Sequence, residues 1–391
     1  MARMILNETS YFGAGCRKEL APELKKRGVK KAFVVTGAHL LKYGVAKMVT
    51  DVLDETGVTY SIFTDIKENP TIANVKAGLA AFNEFKPDVI IAIGGGSNMD
   101  TAKAIGIIAT NPEFSDVRSL EGVADTKNKS FPLICFATTS GTAAEVTINY
   151  VITDEEAGRK LVCVDPNDIP MIAFNDAEMM MTMPKGLTAS TGMDALTHAI
   201  EGYITPGANP ISELLCWNAI KFISDNLRAA VNDGNDAKAR EGMAYGSYVA
   251  GMAFSNVGLG IVHSMAHPLG ARFDVAHGVA NAILLPYVME YNKPAAVKKF
   301  GDIARAMGVD IKGMSEEEAA NAAIAAVKKL AADVGIPEKI SMLKNKATGE
   351  TLIKESDLKM LSEDAFIDPC TGGNPRKTSV EEIHGIYEKA Y

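Results

Sequence analysis

Between residues 30 and 176, short apolar runs alternate with helical patterns, and this alternation limits the fold more than any other feature of the sequence. After Asp88 the run to Ile93 is continuously apolar, as expected of a strand buried on both faces of a parallel sheet. The pattern predicts a doubly wound α/β domain. Its predicted strands cover residues 31–36, 59–63, 88–93, 131–136, 146–152, 161–164 and 171–174, and its helices cover a stretch up to 55, 72–85 and 98–110.

After Asp176 the strand pattern fades, and from Thr188 onward the sequence reads as long, Ala- and Met-rich helices. Clusters of Pro, Gly and Asn break these helices at 206–210 and 232–236. Ser315 precedes three glutamates and is predicted to cap a helix, because its hydroxyl accepts backbone N–H groups and acids favour the positive helix end. We therefore predict two domains, an α/β domain over 1–182 and an all-helical domain over 183–391.

Composition excludes several classes of protein. A net charge of −8 argues against nucleic-acid binding through a broad basic face. No window approaches the ~20 apolar residues of a membrane span, and the N-terminal residues lack the apolar core of a signal peptide. The five cysteines are scattered, without a Cys-x-x-Cys pair, which argues against a disulfide framework. We expect a cytoplasmic protein with reduced thiols, and neither nucleic acid nor membrane as partner.

The run Gly94-Gly95-Gly96-Ser97 lies between a predicted buried strand and the helix after it. Glycines let the backbone approach an oxyanion, and the free N–H groups and dipole of a helix N-terminus attract it, so the loop suits a pyrophosphate. It matches neither the Rossmann nor the Walker A pattern, and a tight strand-to-helix turn is the alternative. A second polar loop, Thr138 to Thr142, follows another predicted strand and offers hydroxyl donors at the same edge of the sheet.

Four of the six histidines lie between positions 198 and 277. Residues four apart share a helix face, which pairs Asp194 with His198 and His263 with His267, and His277 follows closely. Imidazoles with a carboxylate and no thiolate favour Fe²⁺ or Zn²⁺ over Mg²⁺. The alternative is that these are separately satisfied polar residues in helices. The spacing favours a metal site.

Taken together, these residues resemble the iron-dependent (group III) alcohol dehydrogenases. The resemblance runs from the first residues to Arg376 and beyond, and within the family it is strongest to the branch that interconverts lactaldehyde and 1,2-propanediol. It is carried by Gly94–Ser97 with Asp100 and Lys103, by Thr138–Glu145, by Gly192–Glu201, by Asn256–Gly270 and by His277–Asn281.

The resemblance implies a dehydroquinate synthase-like fold, with an N-terminal dinucleotide-binding α/β domain, a C-terminal helical metal-binding domain and catalysis in the cleft between them. It implies Asp194, His198, His263 and His277 as iron ligands, with Zn²⁺ as a substitute, and His267 as a catalytic residue that moves protons near the nicotinamide. It implies a substrate pocket for a small alcohol or aldehyde and a homodimer, with the first strand pairing across subunits. The pocket residues are Asn149, Phe254 and Cys370, and the cofactor-binding residues are Gly37, Asn69, Gly94, Gly95, Gly96, Ser97, Asp100, Thr138, Thr139, Thr142, Thr147, Asn149 and Lys160.

Several of these residues also have a structural explanation that the sequence leaves open. Phe254 would equally suit the hydrophobic core, and Cys370 would suit a C-terminal loop that does not touch substrate. Lys160 would suit a solvated hairpin. For His267, orienting a metal ligand is an alternative to proton transfer.

One position departs from the family pattern. NAD-preferring relatives tend to carry an aspartate at the end of the first strand of the nucleotide fold, where it bonds the ribose and repels a 2′-phosphate. This chain has Gly37 there, followed by His39 and Lys42, which would attract a phosphate. We therefore predict that the enzyme uses NAD and also NADP.

Three other functions share part of this sequence pattern. Group III dehydrogenases that act on 1,3-propanediol, ethanol, butanol or glycerol would share the metal residues. A lyase of the dehydroquinate synthase type would need several Lys and Arg around the histidines, where this chain has mostly Ala, Gly, Met and Phe. A non-catalytic nucleotide-binding module would have no need of an intact ligand set.

Overall fold

The computed structural model describes residues 2–345 and 347–391. These residues form two compact units, residues 3–183 and residues 184–391. The first unit contains the strands β1 Thr9–Phe12, β2 Lys31–Thr36, β3 Thr59–Phe63, β4 Val89–Gly94, β5 Leu133–Ala137, β6 Asn149–Asp154, β7 Arg159–Val164 and β8 Ile172–Asn175. Its α-helices are α1 Leu20–Arg27, α2 Ala38–Lys42, α3 Lys47–Thr56, α4 Ile72–Phe85 and α5 Gly96–Thr110.

The first unit is organised around a parallel sheet with the strand order β1-β8-β5-β4-β2-β3. The central strands β4 and β5 are buried along their whole length, which accounts for their continuous apolar sequences. Gly94 at the end of β4 lies beside Ala137 at the end of β5, so the loops that follow them start at the same edge. The predicted α/β architecture is confirmed.

Three local predictions differ from the structure. The sequence pattern did not locate the strand β1, because it has four residues and is only half-buried; this edge strand, which the resemblance expects to pair across subunits, pairs on its inner side with β8 of the same chain. The helix predicted up to residue 55 is divided into α2 and α3, because Gly44 adopts a left-handed φ of 78°. The strands predicted at 146–152 and 161–164 form an antiparallel hairpin, β6 with β7, outside the parallel sheet.

The second unit is helical over its described residues, apart from an isolated bridge between Lys344 and Thr351. Its helices are α6 Lys185–Ile204, α7 Pro210–Asn232, α8 Ala237–Val257, α9 Ile261–Phe273, α10 His277–Ala306, α11 Glu316–Asp333, α12 Leu358–Ile367 and α13 Val380–Ala390. Ser315 caps α11 in a reciprocal capping box with Glu318, as the sequence predicts. Short 3₁₀ turns elsewhere in the chain cover Cys16–Glu19, Pro112–Phe114, Val117–Leu120, Ala144–Val146, Ala177–Met180, Ile340–Met342, Glu355–Asp357 and Pro369–Gly373.

Helix α6 is the core helix of this unit and is buried almost all round from Thr188 to Ile204. Buried helices are normally apolar on every face, so charged and imidazole side chains on α6 require a specific partner. Asp194, His198 and Glu201 are such side chains, and each is less than 5% exposed. These three residues therefore indicate a polar site inside the helical unit.

No single helix among the described residues is long and apolar enough to cross a membrane. The pair α8 and α9 reaches that length and composition only when both helices are counted together, across a bend of 102°. Most residues of α9 are buried inside the helical unit.

Candidate functional site

The glycine run forms the turn from β4 into α5. Helix α5 starts at Gly96, two residues earlier than the sequence predicts, and no side chain caps its N-terminus. The N–H groups of its first turn therefore keep no side-chain partner, and the helix dipole adds positive potential at this end. This is the arrangement that binds phosphate at the carboxyl edge of a parallel sheet.

The two predicted loops pack directly against each other. The amide of Thr138 donates to the carbonyl of Gly94 at 3.0 Å. A Cβ on Gly95 would lie 3.0 Å from Thr139 Oγ1, and one on Gly96 would lie 2.8 Å from the Thr142 methyl group. Packing within the protein therefore already requires these glycines, so the glycines alone do not establish a ligand.

Buried polar atoms without a protein partner provide an independent sign of a ligand. Thr36 Oγ1 at the end of β2, Asn98 Nδ2 in the first turn of α5 and Asn149 Oδ1 at the start of β6 are buried and make no hydrogen bond. Buried polar groups are almost always satisfied, so such atoms call for a bound partner. A nucleotide at the strand ends would supply one.

Lys103 connects α5 to the predicted cofactor residues on β6 and just before it. Its ammonium is fully buried and donates to the carbonyl and hydroxyl of Thr147 at 2.7 and 3.0 Å and to the carbonyl of Asn149 at 2.9 Å. Burial lowers the pKa of Lys103, and the negative charge of nearby Asp100 partly offsets this lowering. Asp100 in turn accepts from the Val151 amide at 3.1 Å. The α5 helix thus fixes Thr147 and Asn149 in place.

The remaining predicted cofactor residues lie in two places. Lys160 donates to Asn69 Oδ1 at 2.7 Å and to Thr153 Oγ1 at 3.0 Å, so the structure brings Lys160 and Asn69 together. Gly37 directly follows β2, and a Cβ there would lie 2.8 Å from the ring of His39. An aspartate would fit at this position once the exposed His39 side chain rotates away.

In the helical unit the structure gathers the predicted metal residues at one point. Ligand atoms of Asp194, His198, His263 and His277 all lie within 4.8 Å of one another. Asp194 and His198 share a face of α6, His263 lies in the first turn of α9, and His277 is the first residue of α10. A Cβ on Gly278 would lie 2.4 Å from the Ser190 carbonyl, so this glycine lets α10 approach α6 closely enough to bring His277 to the site.

The donor set fits a divalent cation. The Asn281 amide nitrogen lies 2.6 Å from Asp194 Oδ1, 3.1 Å from His277 Nε2 and 3.2 Å from His263 Nε2. Three acceptors therefore converge on one point, and the two hydrogens of an amide cannot satisfy all of them. A cation that accepts electron pairs from all three would satisfy them, and nitrogen and oxygen donors suit Fe²⁺ or Zn²⁺.

Electrostatics in the cluster favour neutral imidazoles beside an ionised carboxylate. Burial lowers the pKa of His263 well below its usual range and that of His277 to about 3. Burial acts to raise the pKa of Asp194, but the surrounding imidazoles, His198 first, bring it below its ordinary value. Metal ligands must be deprotonated to bind, so both effects prepare these side chains for a cation.

Glu201 is a site residue to which the sequence alone assigned no role. Its Oε2 lies 2.5 Å from His263 Nδ1, and its Oε1 accepts from the Val262 amide at 2.7 Å. Burial raises the pKa of Glu201 to about 7, against the lowering effect of the backbone amides of Val262 and Gly260. One buried carboxylate therefore both caps α9 and contacts a metal-cluster imidazole.

His267 lies on α9 one turn after His263 and makes a different contact. Its Nδ1 lies 2.7 Å from Asp368 Oδ2, and the Cys370 thiol is part of the same small group. Burial raises the pKa of that thiol well above its usual range. Phe254 is buried and stacks on the ring of His198 at 4.2 Å between centroids. Cys370 and Phe254 are thus both near the cluster.

Three residues of the site were not predicted from the sequence, and the sequence contains a local pattern for only two of them. Glu201 lies seven residues after Asp194 on α6, and Asn281 lies four after His277 on α10, so helical spacing could have identified both. Asp368 lies in a loop 101 residues from His267, and no local spacing points to it.

Comparison with known proteins agrees with this geometry. Residues 7–177 match the family model described as iron-containing alcohol dehydrogenase, and residues 188–391 match that of the Fe-containing alcohol dehydrogenase family, C-terminal. The chain is 54% identical over 389 residues to the lactaldehyde reductase of Escherichia coli (strain K12), covering 100% of this chain and 99% of that protein.

Solved structures show the same relationship. The crystal structure of a 1,3-propanediol oxidoreductase superposes with a TM-score of 0.94 at 41% identity and covers 100% of both chains. The sulfoacetaldehyde reductase of Bifidobacterium kashiwanohense, solved in complex with NAD⁺, superposes with a TM-score of 0.86 at 27% identity, over 100% of this chain and 98% of that one. The chain therefore belongs to the iron-containing alcohol dehydrogenase family and is an oxidoreductase.

Proposed function

We propose that this enzyme transfers a hydride between NAD(H) and a small alcohol or aldehyde, with lactaldehyde and 1,2-propanediol as its preferred pair. The observation that carries the proposal is the convergence of one carboxylate and three imidazoles on a single buried point. The 54% identity to a lactaldehyde reductase over the whole chain supports the substrate.

Asp194, His198, His263 and His277 would hold the metal. Bound there, Fe²⁺ would act as a Lewis acid that polarises an aldehyde or lowers the pKa of an alcohol. We propose Fe²⁺ as the working ion and Zn²⁺ as a substitute, because nitrogen and oxygen ligands bind Zn²⁺ at least as strongly. Occupancy then depends on the supply of each metal.

His267 is the proposed proton-relay residue. A histidine can serve as a general acid or base, and Asp368 contacts its Nδ1, which leaves Nε2 for proton transfer. As the family resemblance implies, Phe254, Cys370 and Asn149 would border the substrate, and the amide oxygen of Asn149 has no hydrogen-bond partner within the protein. The alternative for His267, a purely orienting residue, predicts metal loss on its replacement.

For the cofactor, we propose pyrophosphate binding at the N-terminus of α5, with the Thr138–Thr142 loop and the residues fixed by Lys103 completing the site. Gly37 leaves the adenosine ribose without a repelling carboxylate, so both NAD and NADP should be used. Steady-state kinetics that show a preference for NAD of more than about 10³-fold would contradict dual use, since that ratio needs roughly 4 kcal/mol of discrimination from another source.

We further propose a cytoplasmic homodimer, as the family resemblance implies. Light scattering of the purified protein would test the dimer. A monomer at micromolar concentration would contradict it.

One assay tests the activity directly. The protein is purified without oxygen, its Fe and Zn are quantified, and lactaldehyde, 1,2-propanediol, 1,3-propanediol, ethanol and glycerol are assayed with NAD(H) and NADP(H). We expect the highest kcat/KM for lactaldehyde, and loss of activity on metal removal that is restored by Fe²⁺. A higher value for 1,3-propanediol would favour the alternative supported by the 1,3-propanediol oxidoreductase structure. No metal-dependent turnover on any substrate would refute the proposal.

A further inference from the structure

Glu201 makes two contacts with α9 that are chemically different. Its Oε1 accepts from a backbone N–H, that of Val262, and its Oε2 faces an imidazole nitrogen, His263 Nδ1. Both groups are buried, with Glu201 and His263 each 2% exposed. Both contacts are therefore shielded from bulk solvent.

The network around His263 fixes where its ring hydrogen resides. A neutral imidazole carries one N–H, which is on either Nδ1 or Nε2. Glu201 Oε2 lies 2.5 Å from Nδ1, whereas the neighbour of Nε2, at 3.2 Å, is the Asn281 amide nitrogen, which cannot accept a hydrogen. The hydrogen is then on Nδ1, where the Glu201 carboxylate accepts it. This is the tautomer in which Nε2 can bind a cation.

From these contacts we infer that Glu201 is a positioning residue that sets the tautomer and orientation of His263 and thereby the affinity of the metal centre. The inference rests on the proposed function, because it assumes that His263 binds the metal through Nε2. An acceptor on the far nitrogen of a ligating histidine commonly changes metal affinity by about 10- to 100-fold.

The Glu201→Gln variant tests tautomer control selectively, because the N-terminus of α9 fixes which way the new amide group points. The Val262 amide needs an acceptor, so in Glu201→Gln the amide oxygen will face Val262 and the amide nitrogen will face His263. That nitrogen is a donor, which favours the His263 tautomer with its hydrogen on Nε2. The variant keeps the helix cap and the side-chain size while it disfavours metal binding.

Three variants separate tautomer control from simple packing. In Glu201→Gln we expect Fe²⁺ and Zn²⁺ affinity, measured by competition with a chromogenic chelator under anaerobic conditions, to fall about 10- to 100-fold. The Tm of its metal-free form should stay near that of the parent. Glu201→Ala should lose metal affinity and also lower the Tm of the metal-free form, because the cap is gone. Asp368→Asn is the matched control, since it neutralises the carboxylate on His267 and should leave metal affinity within about threefold.

The tautomer itself can be read by long-range ¹H–¹⁵N NMR of histidine-labelled protein, which has only six histidines to assign. In the Zn²⁺-loaded parent, His263 should show its hydrogen on Nδ1, and in metal-free Glu201→Gln it should show the hydrogen on Nε2. A Glu201→Gln variant that binds metal within about threefold of the parent would overturn the inference. If instead the parent and His263→Ala bind metal equally, the proposed metal centre itself is wrong.

Discussion

The two candidate sites of this molecule are built from different parts of the chain. The candidate cofactor site, at the turn from β4 into α5, is made mainly by backbone: a helix N-terminus, the turn before it and glycines that let two loops touch. The metal cluster is made by side chains from three helices, and three of its four members contact Glu201 or Asn281. A backbone site is therefore sensitive to added volume, whereas a side-chain site is sensitive to lost or exchanged polar atoms.

The largest expected effect is on the side-chain site. His263→Ala should bind metal at least 100-fold more weakly and lose nearly all activity, because one of four converging donors is gone. His267→Ala should retain its metal and lose about 10²-fold in kcat, the scale of general acid–base catalysis. Metal analysis of both purified variants, together with kcat at saturating Fe²⁺, measures the contrast. Equal metal loss in both would make His267 a ligand-orienting residue.

Added volume should weaken the backbone site. Gly96→Ala places a methyl group 2.8 Å from Thr142 and must separate the two loops, so the NADH dissociation constant should rise at least tenfold. Fluorescence titration with NADH measures it, and metal content should not change.

Gly385→Ala is the matched control, because a methyl group there meets nothing within 4 Å on helix α13. It should raise stability by about 0.5–1 kcal/mol through helix propensity and leave NADH binding unchanged. Equal NADH affinity in Gly96→Ala and Gly385→Ala would show that the loop contact is irrelevant to the cofactor.

Lys103→Met tests a buried side chain that holds two residues of the backbone site, Thr147 and Asn149. Its loss leaves the carbonyls of Thr147 and Asn149 without their donor, and we expect the free energy of unfolding to fall by about 2–4 kcal/mol. NADH affinity should fall with it, because Asn149 is no longer held. Urea denaturation and NADH titration measure both. The exposed Lys76→Met on α4 should change stability by less than about 0.5 kcal/mol.

The smallest expected effect concerns cofactor choice. Gly37→Asp should move the ratio of kcat/KM for NAD over NADP about three- to tenfold toward NAD, through repulsion of the 2′-phosphate. Steady-state kinetics with both cofactors measure the ratio. An unchanged ratio would mean that residue 37 does not face the ribose.

The sequence predicted the features that depend on local patterns and missed those that depend on contacts between distant residues. Continuous apolar runs identified β2 and β4, and the glycine run located the turn before α5, because each is a local pattern. Helical spacing likewise paired Asp194 with His198. The contact of Asp368 with His267 depends on a loop far along the chain, and the split of α2 from α3 depends on one glycine conformation. Tertiary packing decides the first, and no short window of sequence contains it, whereas Gly44 is a local stop signal that the periodicity alone did not resolve.

The pairing of the first strand with the last has a consequence for synthesis on the ribosome. Strand β8, which ends at Asn175, must emerge before β1 can find its neighbour, whereas β2, β3 and β4 can pair earlier. At about 5–20 residues per second, β1 waits roughly ten to thirty seconds. Until then the outer edge of β5 also stays open to other chains. We therefore expect nascent chains that stop before Ile172 to be the species most in need of a chaperone.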